Sequence, residues 1–128
     1  MVTTTLVDRN VEDGKRLIMA LDESRFKVQS AFWFYVSEAE KWVLYIASPI
    51  FDDKGPTGSY AALQKVVLGM SPRPDFSLND VAIISPENNL VKLLRTALKT
   101  GPGVSTIRFS RNTINGVFIS DALLYRIQ

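Results

Sequence analysis

Lys27-Val28-Gln29-Ser30-Ala31-Phe32-Trp33-Phe34-Tyr35-Val36 runs into Ser37-Glu38-Ala39-Glu40 and then into Lys41-Trp42-Val43-Leu44-Tyr45-Ile46-Ala47. Aromatic and β-branched residues crowd both runs, and the short segment between them suits a hairpin loop. The stretch therefore predicts two antiparallel strands, 27–36 and 41–47. Alternation sets Phe32, Phe34 and Val36 on one face and Ala31, Trp33 and Tyr35 on the other; in the second strand Trp42, Leu44 and Ile46 oppose Val43, Tyr45 and Ala47. Both faces are apolar. Such a hairpin belongs in the middle of a sheet covered on both sides, or carries helices on one side and a partner on the other.

Upstream, residues 11–23 predict a helix with Asn10 as N-cap, Asp13 near the dipole's positive end and Leu17, Ile18 and Leu21 as its apolar stripe. Downstream, Ser48-Pro49-Ile50-Phe51-Asp52-Asp53-Lys54-Gly55-Pro56-Thr57-Gly58 is rich in turn formers and leads into a second helix, where Tyr60, Leu63, Val66, Val67 and Met70 recur at helical spacing. Pro72 and Pro74 end it. Residues 81–84 predict a short buried strand, and Ser85-Pro86 reads as the start of a third helix, Ser as N-cap and Pro at the first helical position. That helix runs to about Lys99 and stops at Gly101-Pro102-Gly103. Residues 106–110 and 116–127 are strand candidates joined by 111–116, where Asn115-Gly116 signals a tight turn. Ser120-Asp121 interrupts the last run, either as a bulge or by leaving 122–124 as a short helical turn. The expectation is one compact α+β domain of order α-β-β-α-β-α-β-β, with a mixed or mainly antiparallel sheet packed against three helices.

The 128 residues include no His and no Cys. This excludes a Ser-His-Asp triad, a thiolate nucleophile, a disulfide framework and Cys- or His-ligated metal; no cofactor and no metal site are expected. The start of the chain, Met1-Val2-Thr3-Thr4-Thr5-Leu6-Val7-Asp8, lacks the basic and long apolar regions of a secretory signal, and the longest apolar runs are six residues, too short for a membrane helix. A cytoplasmic protein that does not engage membranes is the expectation. Net charge is +2, divided as −2 over residues 1–64 and +4 over 65–128.

Three constellations carry candidate chemistry. If the strands ending near Ala47 and Ile84 are parallel neighbours, the loops that follow them open at one sheet edge and gather Asp52, Asp53, Lys54, Ser85, Glu87 and Asn88, a candidate small-ligand or Mg²⁺ cleft. Asp, Gly and Pro are also ordinary turn residues, and Ser85 and Pro86 are explained as caps. Lys92, Arg95, Lys99, Arg108 and Arg111 form a basic set, with Asp121 the one acid from 92 to 128, and admit nucleic-acid binding or a His-independent nuclease. A solvated helix face with cations near its C-terminus accounts for the same residues. Pro74-Asp75 is not followed by the Glu-x-Lys or Asp-x-Lys of a PD-(D/E)xK nuclease. Trp33, Trp42, Tyr35 and Tyr45 stack bases only if their sheet face is open; otherwise they are core. With imidazole and thiol chemistry excluded and apolar strands abundant, the leading expectation is a non-enzymatic protein-interaction or accessory module, self-associating as a homodimer.

Overall fold

The 27–47 stretch forms the hairpin that its pattern predicts. In the computed structural model, which describes residues 5–128, β1 (Ser30–Val36) and β2 (Lys41–Ala47) pair antiparallel from Ser30 opposite Ala47 to Val36 opposite Lys41. The first strand begins three residues later than Lys27. Arg25 and Lys27 take positive φ (63° and 61°), and Phe26 and Val28 are buried before the chain straightens. The secretory-signal expectation falls in part on residues 1–4, which lie outside the described residues.

In chain order the elements are α1 (Asp8–Glu23), β1, β2, α2 (Ile50–Leu68), a 3-10 turn (Leu78–Asp80), β3 (Val81–Ile84), α3 (Asn89–Ala97), β4 (Ile107–Ile114) and β5 (Val117–Arg126). They build a mixed sheet of order β3-β2-β1-β5-β4, an α+β domain with the expected succession of elements. β2 and β3 run parallel through the α2 crossover, Leu44 opposite Val81 and Ala47 opposite Ile84, while β1 pairs antiparallel with β5, and β5 with β4.

Both faces of the central hairpin are covered. On one, Leu17, Ile18 and Leu21 of α1 and Leu63 and Val67 of α2 pack over Ala31, Trp33, Leu44, Ile46, Leu123 and Tyr125. On the other, Val91 and Leu94 of α3 pack over Phe32, Ala47, Ala122 and Leu124. Each such side chain, once fully buried, contributes roughly 1.5–3 kcal/mol, so the alternating pattern of the hairpin fixes where all three helices lie.

Helix boundaries differ from the sequence expectation for local reasons. α1 starts at Asp8, with Val7 at the N-cap and no side-chain cap; Asn10 is inside the helix, its N–H donating to the Val7 carbonyl at 3.0 Å. Burial of Leu6 anchors that earlier start. The turn-rich segment before α2 is helical from Ile50, broken only where Gly55 takes φ 70° and ψ −178° and Pro56 restarts the helix. The turn signals are real but act at a single kink, because Pro in a first helical turn gives up no needed hydrogen bond. α3 is capped by Asn88, whose side chain accepts from Leu90 N at 2.9 Å; Ser85 Oγ instead accepts from Glu87 N at 3.1 Å, forming a turn before the helix rather than its cap. The helix ends at Ala97, two residues short of Lys99, where Leu98 turns extended.

Asn115 and Gly116 make the two-residue hairpin turn with φ 48° and 81°, and residues 111–114 belong to β4. Register is constant from Ile107 opposite Leu124 to Ile114 opposite Val117, yet burial changes phase, since Phe109 and Ile114, like Ile119 and Ala122, join the same core despite opposite parity. The switch falls at Arg111 (φ 47°) and Ser120, the position where the ladder pairing lapses. The interruption expected at Ser120-Asp121 is therefore a change of face within one continuous strand, and 122–124 is not a helical turn. A separate irregularity lies against β1, where Phe32 pairs with Leu124 but Ala31 with Arg126, leaving Tyr125 as an extra residue. Tyr125 and Arg126 consequently both reach toward α1. Tyr125 donates its hydroxyl to the Val11 carbonyl (2.6 Å) and accepts from Trp33 Nε1 (2.9 Å), and Arg126 binds Asp22 through both guanidinium amino groups (3.0 and 2.8 Å).

Candidate functional site

The parallel pairing of β2 and β3 does bring the two strand-to-helix loops to one sheet edge. Ser48 N donates to the Ile84 carbonyl at 3.0 Å, and Ser85 Oγ donates to Asp52 Oδ2 at 3.0 Å. Of the six residues expected there, Asp52 and Ser85 form the side-chain contact that joins the two loops. Glu87 turns to Lys92 (3.3 Å), Asn88 caps α3, and Asp53 is exposed. Lys54 lies on a different surface, described below. No cluster of three or more acidic side chains that could hold a metal ion occurs among the described residues, and none of the helices there is long and apolar enough to cross a membrane.

The basic set is divided by the sheet. Lys92 and Arg95 belong to α3, on one face; Arg95 donates to the Gln128 carbonyl (2.8 Å) and the Pro86 carbonyl (3.2 Å), which makes it a clasp for the C-terminus. Lys99 follows in the exposed loop beyond α3. Arg108 and Arg111 lie toward the opposite face, beside Asp121 and Trp42. The five residues do not form one patch.

The four aromatic candidates divide likewise. Trp33 is buried with its indole N–H satisfied by Tyr125, and Tyr45 stacks on Phe32 with ring centroids 5.5 Å apart. Tyr35 and Trp42 stand half-buried at the open end of the sheet, where a small cavity of about 170 Å³ is lined by them with Arg111, Ser120 and Asp121. Arg108 lies over Trp42, 5.5 Å from the ring centroid, and donates to both oxygens of Asp121 at 2.7 and 2.6 Å. Ser110 donates to the same carboxylate at 2.7 Å. The Arg108 hydrogen bond, seconded by Ser110 and the Ala122 N–H, holds the Asp121 carboxyl below the usual carboxylate range. The pairing neutralises Arg108, and Glu38 and Glu40 occupy the turn next to Tyr35 and Trp42. A polyanion gains little there.

A broader recess lies between α1 and α2, a groove of about 630 Å³ bordered by Ala20, Glu23, Ser24, Arg25, Phe26, Ile50, Lys54, Ala62, Lys65, Val66, Gly69 and Met70. A shallower depression of about 280 Å³ shares Ala20, Glu23 and Met70 and extends it to Arg16, Met19 and Ser71. The floor is apolar and packed on the core through Phe26, Ile50, Ala62, Val66 and Met70. Local backbone places the rim. The turn after α1, closed by Phe26 N donating to the Leu21 carbonyl at 3.1 Å, carries Arg25 at positive φ to the opening. Lys54 stands at the kink of α2, with room because residue 58 is glycine; a Cβ there would come within 2.8 Å of the Lys54 Cβ. Arg25, Lys54 and Lys65 form no ion pair with any described residue, and Glu23 is the acid among them.

Sequence reasoning placed Lys54 in a different constellation and missed the groove. One signal was present: the apolar residues of α2 spread over more than one stripe, so that Leu63 and Val67 are buried while Ala62 and Val66, with Met70 just past the end of the helix, remain half-covered on the shoulder. The opposing wall, residues 16, 19, 20 and 23 of α1, has no apolar signature. Only the packing of α1 beside α2 creates the recess. No family model matches the chain, and neither a curated protein nor a solved structure matches it, so the groove is read from its own geometry.

Proposed function

We propose that the protein is a non-enzymatic interaction module, working in the cytoplasm, whose recognition surface is the groove between α1 and α2. One observation carries the reading: a solvent-open recess with an apolar floor and a charged rim, larger than any other cavity described above. Its volume falls within the range of ordinary ligand pockets, and its open, two-helix walls suit a polypeptide segment better than an enclosed small molecule. A ¹⁵N NMR titration with a helical peptide carrying a leucine stripe and neutral glutamine flanks tests it. Saturable shifts at Ala20, Ala62 and Val66 are expected; unchanged spectra at millimolar peptide would remove the groove as a binding surface.

Self-association as a homodimer is the second reading, supported by Val117 and Phe118, which stand 48% and 62% exposed at the tip of the β4–β5 hairpin. Extension of the sheet along β4 is disfavoured as its route. Arg111 breaks the extended backbone, and Thr113 N donates to Asn112 Oδ1 at 2.9 Å, features that blunt an edge against strand addition. Contact through the hairpin tip is the form this reading takes, and sedimentation equilibrium across micromolar concentrations tests it; a strict monomer at every concentration ends it.

A further inference from the structure

We infer that the α1/α2 groove takes an amphipathic α-helix of a partner protein whose apolar stripe is flanked by acidic side chains; this rests on the groove being a protein-binding surface. Two features on its walls select a helix. Residues 16, 19, 20 and 23 of α1 line one side at the i, i+3, i+4, i+7 spacing of a helix ridge, and residues 62, 65 and 66 of α2 line the other at i, i+3, i+4, followed by Gly69 and Met70 just past the end of α2. The α1 ridge is roughly 10 Å long at 1.5 Å per residue, about two turns. Two ridges lying side by side leave between them a channel into which the side chains of a third helix interdigitate.

Charge selects the flanks. Arg25, Lys54 and Lys65 surround the apolar floor without an ion pair among the described residues, and Glu23 is the acid on the rim. At the far end Arg16 is already engaged, by Asp13 at 2.9 Å and by the Pro72 carbonyl, so the excess positive charge is concentrated at the Lys54/Lys65 end. A basic helix would meet three like charges as its flanks approach water-exposed rim positions. An acidic one gains three partners and is steered to the groove by their field. The chain's own hairpin tip, Thr113-Ile114-Asn115-Gly116-Val117-Phe118, carries no acid and does not fit that description.

The test compares three synthetic helical peptides of one leucine stripe, with glutamate, glutamine or lysine flanks, by NMR titration of the full chain at low salt. The glutamate peptide should bind about tenfold more tightly than the lysine peptide, a preference that largely disappears at 0.5 M NaCl because rim charges are screened. The double variant Lys54→Glu, Lys65→Glu changes two exposed side chains, and its melting temperature checks that it is folded; it should reverse the order of the peptides. Equal binding of all three peptides in the groove would overturn the acidic selection while leaving the groove as a protein-binding surface. Shifts mapping outside the groove, or saturation of it by palmitate but by none of the peptides, would overturn both.

Discussion

Two glycines show how opposite constraints come from the same residue type. Gly14 lies mid-helix in α1, where alanine is ordinarily favoured by about 1 kcal/mol, but a Cβ there would sit 2.3 Å from the Tyr125 hydroxyl and 3.0 Å from Trp33 Nε1. The steric term decides the sign, and Gly14→Ala should destabilise the protein by about 1–3 kcal/mol in urea unfolding; a gain in stability would mean that Tyr125 is not seated against the helix. Gly55 has nothing within 4 Å of its missing Cβ, yet its φ of 70° penalises any side chain, so Gly55→Ala should cost about 1–2 kcal/mol through the backbone alone. Tyr125 itself titrates late, because burial raises its hydroxyl above the ordinary 10.0. The folded state thus holds its proton while the unfolded chain loses it. Stability from this group is complete below pH 10.0 and declines as pH rises from there toward the folded value. Tyr125→Phe should flatten that alkaline decline, and at neutral pH should lower stability by about 1–3 kcal/mol by leaving the buried Trp33 N–H unpaired and by removing the second donor to the Val11 carbonyl.

At the scale of elements, the end of β5 ties the sheet to α1. The extra residue opposite Ala31 and Phe32 lets Tyr125 and Arg126 point the same way. Arg126 then holds Asp22 with two hydrogen bonds and reaches the Val28 carbonyl (2.9 Å) and the Gly103 carbonyl (3.1 Å). Three segments meet on one guanidinium whose side chain is 6% exposed, while Asp22 at 38% keeps contact with water. Removing the Arg leaves two carbonyls without their donor and a carboxylate that water partly re-solvates, so Arg126→Ala should cost about 2–4 kcal/mol. Arg126→Lys should recover less than half, because an ammonium cannot reproduce the planar fork. Thermal unfolding of the two variants separates the roles of charge and geometry. The β1–β2 hairpin was legible from alternation, as was the Asn115-Gly116 turn, whose positive φ angles need those residue types. The start of α1 and the cap of α3 were not, since Asn10, Ser85 and Asn88 all have capping chemistry and only the local path of the chain selects among them.

For the whole molecule, the prediction concerns the hairpin tip. Val117 and Phe118 are exposed, so replacing both with serine should leave folding stability within about 0.5 kcal/mol and remove any concentration-dependent mass in sedimentation. A large loss of stability would place these side chains in the monomer's packing instead. The sequence alone determined the order of elements, a hairpin apolar on both faces and the exclusion of imidazole and thiol chemistry. These follow from local periodicity and residue type, and each is fixed before any distant contact forms. Tertiary structure decided where function can reside. It divided Lys92, Arg95 and Lys99 from Arg108 and Arg111, because strands and helices far apart in sequence assign their side chains to opposite sides of one sheet. It joined Asp52 to Ser85 but turned Lys54 toward Arg25 and Lys65, because a single positive φ at Gly55 redirects the helix. The groove has one wall from α1 and one from α2, and spacing within either helix carries no information about the distance between them.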